Sequence, residues 1–268
     1  MAPAERSARA FLLRAVDYGE SDRILSLLTE DGGKVSAIAR GARRSQKRFG
    51  GALEPFALIE VALAPSRGSL QRVTEATLLR AHPGLARRLE RFGAAAYLIE
   101  LVRELVAEEE PEPRVFALVD EALALLEEAD RAACARLSLA ATARALALAG
   151  TAISVDRCNA CGRPVPPGRR ACFDPARGGI VCTACGGGPM VLDAPAAHAL
   201  AAVAREPLDR IARADHLEPK ALVAVERAVD AFVERHVERP LRSATYRAGA
   251  AAAAEEPGAD RRSSRRRP

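Results

Sequence analysis

Cys158 and Cys161, followed by Cys182 and Cys185, make two C-x₂-C pairs separated by the twenty residues 162–181. Thiolate pairs at this spacing are the sequence form of a closed tetrahedral metal site, because each pair clamps one side of the ion and the hairpin between them returns the second pair. Gly162 and Gly186 stand just after the pairs. A residue without Cβ there lets the backbone turn tightly round the sulfurs, which predicts two knuckle-like turns. Four thiolates with no position left for water describe a structural zinc ion and not a catalytic one. The alternatives are two disulfides or four unrelated free thiols; an expected reducing compartment favours the metal. The interval, with Pro164, Pro166, Pro167 and Gly178-Gly179, reads as loop and short strand too poor in apolar residues to fold unaided, so the metal would supply its folding free energy. Cys172 has no partner at knuckle spacing and is read as a small apolar filler, and Cys134 as part of a helical core.

A second stretch with chemical content runs Arg40-Gly41-Ala42-Arg43-Arg44-Ser45-Gln46-Lys47-Arg48-Phe49-Gly50-Gly51, with five cations and no acid from Arg40 to Arg48. Such a loop repels itself unless it faces an anion, and phosphate is the expected one; a solvated charge run is the bland alternative. Phe49 is read as a loop anchor, with a base-stacking platform as the alternative. Nothing in the chain forms a catalytic set. His82, His198, His216 and His236 are scattered, Glu108-Glu109-Glu110 reads as a solvated helix end, and neither a G-x-x-x-x-G-K-[ST] loop nor a G-x-S-x-G elbow is present.

The elements that must position these residues follow from periodicity. Segments 10–16, 21–29, 34–40, 56–64 and 70–76 read as five short strands, with Asp31-Gly32-Gly33 and Pro65-Ser66-Arg67-Gly68 as turns. Five strands in so short a span predict a small barrel, of which the OB-fold is the commonest five-stranded kind. From Pro83 the period becomes helical: Leu85 to Val102, Val115 to Leu126 after the Pro111-Glu112-Pro113 break, and Leu137 to Leu148, stopped by Gly150. Helices resume after Asp193, an N-cap with Pro195 in the first turn, and again from Pro219. The expected fold is therefore α+β and multidomain: an N-terminal OB-fold barrel over 1–80, a C-terminal α-helical domain over 81–157 and 190–246, the metal module inserted at 158–189, and an Ala/Arg-rich disordered tail over 247–268.

Net charge is +5, which permits a polyanionic partner. Only Lys34, Lys47 and Lys220 are lysines among 40 cations, so the arginine excess reflects overall composition and carries no argument about arginine chemistry. Aromatic residues make up 4% and tryptophan is absent, which limits base stacking as a binding device. No apolar run reaches 18 residues, and the first residues lack the apolar region of a secretory signal; a cytoplasmic protein is expected.

The order of parts resembles the bacterial RecO recombination-repair family over about residues 9–246. The likeness is carried by Val16-Asp17-Tyr18-Gly19-Glu20-Ser21-Asp22-Arg23-Ile24-Leu25, Gly33-Lys34-Val35, Ala39 to Ser45 and Arg48 to Phe56. Ala96 to Leu101, the cysteine module and Arg239-Pro240-Leu241-Arg242-Ser243 extend it. The resemblance implies no enzymatic turnover, but binding of single- and double-stranded DNA and annealing of complementary strands. It further implies, with RecR, loading of RecA onto DNA coated by single-strand-binding protein, close to the nucleoid. Lys34, Arg40, Arg43, Arg44, Lys47 and Arg48 match that family's basic barrel region and take the DNA-binding role from it. The helical domain would receive the acidic C-terminal tail of single-strand-binding protein, with arginine and apolar residues of the last helix as candidates. Cys172 departs from the family, where an aromatic residue is expected. The rival classes are a zinc-ribbon transcription or translation factor, in which the cysteine hairpin itself grips nucleic acid, and a purely structural adaptor.

Overall fold

The computed structural model describes residues 5–66, 70–166 and 168–247. Five strands, β1 (Arg6–Tyr18), β2 (Asp22–Thr29), β3 (Gly33–Ala39), β4 (Leu58–Ala64) and β5 (Gln71–Arg80), close into a barrel in the order β1-β2-β3-β5-β4. β4 returns to β1, and every pairing is antiparallel except β3 with β5. A single helical turn, α1 (Gln46–Phe49), crosses from β3 to β4. This is the expected five-stranded OB-like barrel.

The burial of each strand explains its length and its company. In β3 every second residue is buried, as a strand with one wet face requires. In β1 four consecutive residues, Ala10-Phe11-Leu12-Leu13, are buried. Ala10 and Leu12 fill the barrel, whereas Phe11 and Leu13 join the helical core outside it. A register shift between Leu12 and Arg14 follows, after which β1 continues with β2 as a hairpin to Tyr18.

The helices are α2 (Leu89–Leu105), α3 (Pro113–Glu128), α4 (Arg131–Leu148), α5 (Ala194–Arg205), α6 (Leu208–Ala212) and α7 (Pro219–Val233). α4 is the central one, buried on nearly every side and rich in alanine, so that its neighbours can approach closely. It begins six residues earlier than the apolar pattern from Leu137 suggests, because the Asp130 carboxylate accepts the Ala133 N–H at 2.8 Å and caps the helix. Asp193 caps α5 in the expected way, accepting from Ala196. Helix α6 leaves too little periodicity to be read from sequence. It is held by the buried Arg136, which donates to the carbonyls of Ile211 and Ala212 at its C-terminus and to Asp215.

Barrel and helices are joined through aromatic pairs and through the segment that follows α2. Phe11 meets Phe116 of α3 with ring centroids 5.0 Å apart, and Phe56 meets Phe92 of α2 at 5.4 Å. Beyond the end of α2, the segment with three glutamates is not merely solvated as the sequence suggests. The Glu109 N–H donates to the Lys34 carbonyl at 2.8 Å, and Glu108 accepts from Ser36 Oγ and pairs with Lys34 Nζ. Gly33 permits this approach, since a Cβ there would lie 1.8 Å from the Glu110 carbonyl oxygen. Residues 67–69 of the expected turn, and 248–268 of the expected tail, lie outside the described residues.

Candidate metal centre and nucleic-acid interface

The module between α4 and α5 is a three-stranded sheet, β6 (Ala171–Asp174) flanked by β7 (Gly179–Ile180) and β8 (Met190–Leu192), with the cysteine pairs at one end. Gly162 and Gly186 turn with φ of +73° and +94°, so both expected knuckles need glycine. The Sγ atoms of Cys158, Cys161, Cys182 and Cys185 lie within 4.8 Å of one another, and those of Cys161 and Cys182 are 3.8 Å apart. Sulfurs on a tetrahedron with metal bonds of about 2.3 Å stand about 3.8 Å apart, so the cluster has the size such an ion needs. None of the six cysteines is in a disulfide.

The protonation chemistry of the cluster points the same way. The backbone N–H of Cys182, 3.3 Å from Cys158 Sγ, leads the groups that draw that thiol down to about 6. Hydrogen bonds shared with Cys182 and Cys161 push Cys185 up to about 12. Four sulfurs this close cannot all ionise by themselves; a soft divalent cation would compensate their charge, and the four residues would fill its coordination sphere with no place for substrate. Cys172, half-buried on β6, is not in the set, and Cys134 is buried in α4, where desolvation pushes it up to about 12.

Five of the six expected DNA-contacting residues are gathered on the connection between β3 and β4. Its shape is set by the β1–β2 hairpin. The Asp22 carboxylate accepts the Gly41 N–H at 2.8 Å, a bond that holds Asp22 below the usual carboxylate range, and the Arg43 N–H donates to the Ser21 carbonyl. Ser45 Oγ then caps α1 by accepting from the Arg48 N–H. Arg43 pairs with Asp17 at 3.3 Å, and Arg44 with Glu20 at 3.8 Å. Arg48 donates to the Arg40 carbonyl and lies over the Phe49 ring, 5.0 Å from its centroid. Arg40 is exposed near Asp22, and Lys47 is exposed with no ion-pair partner among the described residues. Phe49 is buried in the barrel core and anchors the loop. Lys34 lies apart from this group: its ammonium donates to the Arg103 carbonyl at the end of α2, 2.9 Å away.

Family models for the recombination protein O N terminal and C terminal regions match residues 1–82 and 86–245. The chain belongs to the RecO family. It is 43% identical to the DNA repair protein RecO of Anaeromyxobacter sp. (strain Fw109-5) over 238 residues, 86% of this chain and 90% of that one. It is 41% identical to DNA repair protein RecO of Myxococcus xanthus over 66% of this chain and 71% of that one, and 39% identical to that of Geobacter metallireducens over the same shares. Membership makes it a protein of DNA repair and recombination; on the barrel, Asp17, Glu20, Ser21 and Asp22 hold the basic connection in place. Among the described residues no helix is long and apolar enough to cross a membrane.

One feature of this RecO-family barrel involves, besides Lys34, residues given no role from sequence. A cleft of about 300 Å³ opens between the outer face of β1–β3 and the end of α2, lined by Arg14, Val16, Ile24, Ser26, Ser36 and Lys34 on the barrel. The signal was there in β1, where Arg14, Val16 and Tyr18 alternate after the buried run. A segment read only as ending at Val16 hides it.

Proposed function

We propose that the chain is a recombination mediator without enzymatic turnover. It binds single- and double-stranded DNA, anneals complementary strands, and with RecR helps RecA load onto DNA coated by single-strand-binding protein, in the cytoplasm near the nucleoid. The observation that carries this reading is the basic connection Arg40–Arg48, fixed on the barrel by the acids of the β1–β2 hairpin. Arg40, Arg43, Arg44, Lys47 and Arg48 contact phosphates, and Lys34 adds charge at the far end of β3. A rigid basic edge that neutralises two strands together lowers their repulsion and raises their effective concentration, while base pairing supplies specificity. The ion at Cys158, Cys161, Cys182 and Cys185 is zinc, in a structural role. Burial of Phe173 and Ile180 in the helical core supports this over a zinc ribbon that grips nucleic acid, because the module is spent on packing. The acidic tail of single-strand-binding protein is received by the helical domain.

The test is annealing of two complementary labelled oligonucleotides, bare and coated with single-strand-binding protein, by the intact chain and by Arg43→Glu/Arg44→Glu/Lys47→Glu. The variant is expected to fold, keep its metal and lose annealing. Its single-strand binding falls with a log–log salt slope shallower by about 0.7 for each phosphate contact removed. Annealing equal to that of the intact chain would move the DNA site off the barrel.

A further inference from the structure

The first three cations of the basic connection each stand beside an acid of the β1–β2 hairpin. Asp17 is directly opposite Arg23, so the two share a face of the hairpin, and alternation turns that face away from Val16 and Tyr18. The carboxylate of Asp17 is divided between two guanidinium groups: Oδ1 accepts from Arg23 at 3.0 Å and Oδ2 pairs with Arg43 at 3.3 Å. Arg44 pairs with Glu20 at 3.8 Å, and Arg40 lies near Asp22. Farther along, Arg48 is held by the Arg40 carbonyl and the Phe49 ring, and Lys47 has no ion-pair partner among the described residues. The three acids act differently. Asp22 accepts the Gly41 N–H and the Ser21 hydroxyl, and so shapes the backbone of the connection. Among the described residues, the side chains of Asp17 and Glu20 meet only arginines.

A carboxylate beside a guanidinium occupies the place that a phosphate oxygen would take. We propose that Asp17 and Glu20 are competing counter-ions that hold down the affinity of the basic connection, so that a strand binds where several phosphates arrive together and leaves again readily. The proposal rests on the DNA-binding reading above and adds the residues that set its strength. A single phosphate has to draw Arg43 off Asp17, or sit against that negative charge, for one contact. A run of phosphates also reaches Lys47 and Arg48, which have no acid to leave. Reversible holding is what annealing asks of such a surface, since a strand must shift along it to find its complement.

Asp17→Asn/Glu20→Gln keeps an amide oxygen at each position and leaves the Asp22 bond to Gly41 and the Arg43 N–H bond to the Ser21 carbonyl in place. By fluorescence anisotropy this variant should bind a labelled oligothymidylate about 2- to 20-fold more tightly than the intact chain. Its log–log salt slope should be steeper, because no freed carboxylate takes up a cation when an arginine goes to phosphate. Glu20→Gln alone should show part of the gain, and since the Glu20 side chain is 93% exposed, its folding is not in question. Glu121→Gln/Glu128→Gln, at exposed positions of α3, makes the same change in net charge and should alter binding by less than about twofold. An equal gain in that control assigns the effect to net charge and overturns the proposal. Unchanged or weaker binding by Asp17→Asn/Glu20→Gln overturns it too; weaker binding would make the two acids supports that hold the arginines ready for phosphate. If Arg43→Glu/Arg44→Glu/Lys47→Glu loses binding in either case, the proposed function stands and the counter-ion role falls. An intact chain that binds no DNA sinks both.

Discussion

Arg43 and Arg44 are each already beside an acid, and this sharpens what a basic loop can do. Ion pairs as exposed as Arg44 with Glu20 add little stability; what they do is restrict side chains that would otherwise sample many rotamers. A comparable device at the other end of the chain is open to a pH test. Glu100 on α2 accepts from both the Ser243 hydroxyl, at 2.6 Å, and the Ser243 N–H, at 2.8 Å, tying the segment after α7 to the helical layer. Burial alone would push this carboxyl up, but the Ser243 bonds, the Arg242 N–H and Arg103 outweigh it and hold it below its usual range. With the folded value under the unfolded one of about 4.3, its stabilisation is complete above that pH and disappears as pH falls through the depressed folded value. The protection factors of the Ser243 and Tyr246 amides, taken against the intrinsic exchange rate at each pH, should therefore fall below about pH 4, and Glu100→Ala should remove the same protection at neutral pH at a cost of about 2 kcal/mol. Exchange that is indifferent to both changes would remove Glu100 from this role.

At the scale of elements, the sequence is most legible where one periodicity rules a long stretch. β3, with its strict alternation, and α5, with its Asp193 cap and Pro195, lie within a residue or two of where the pattern puts them. What escapes is set by partners distant in sequence. α1 is a four-residue turn made possible by Ser45, within a connection whose shape is given by Asp22, and α6 depends on Arg136 of α4. The continuation of β1 to Tyr18 is supported by β2 alone. The cysteine module was legible in its four clustered thiols but not in its attachment, because Phe173 reaches into a core assembled from other parts of the chain. Strands of four, two and three residues are too short to persist unaided, so the sulfur cluster must hold them. Removal of the metal by a chelator, or Cys185→Ser, should raise hydrogen exchange throughout β6–β8 and release one equivalent of zinc per chain, measured with a colorimetric chelator. A metal-free protein with unchanged protection in β6–β8 would show that packing of Phe173 and Ile180 suffices.

For the whole molecule, the decisive fact is that two apolar clusters share one strand. Ala10 and Leu12 belong to the barrel interior, while Phe11 and Leu13, with Leu28, Phe56 and Leu58, belong to the core built mainly by the helices. The outer surface of the barrel is thus part of the helical core, and neither part can shed the other without exposing large aromatic side chains to water. This coupling keeps the basic connection and the outward face of β1–β3 in a fixed relation to α2. Phe116 is the residue through which to test it, since its ring touches Phe11 and lies beneath the Arg9 guanidinium, 5.7 Å from the ring centroid. Phe116→Ala removes a buried aromatic and should cost about 3–5 kcal/mol. If the chain opens as one unit, the slowest-exchanging amides of β2 and β3 should lose as much protection as those of α4, although Phe116 touches neither barrel strand's interior face. Loss confined to α3 and α4, with the barrel amides as slow as before, would make the barrel an independent folding unit that merely rests on the helices.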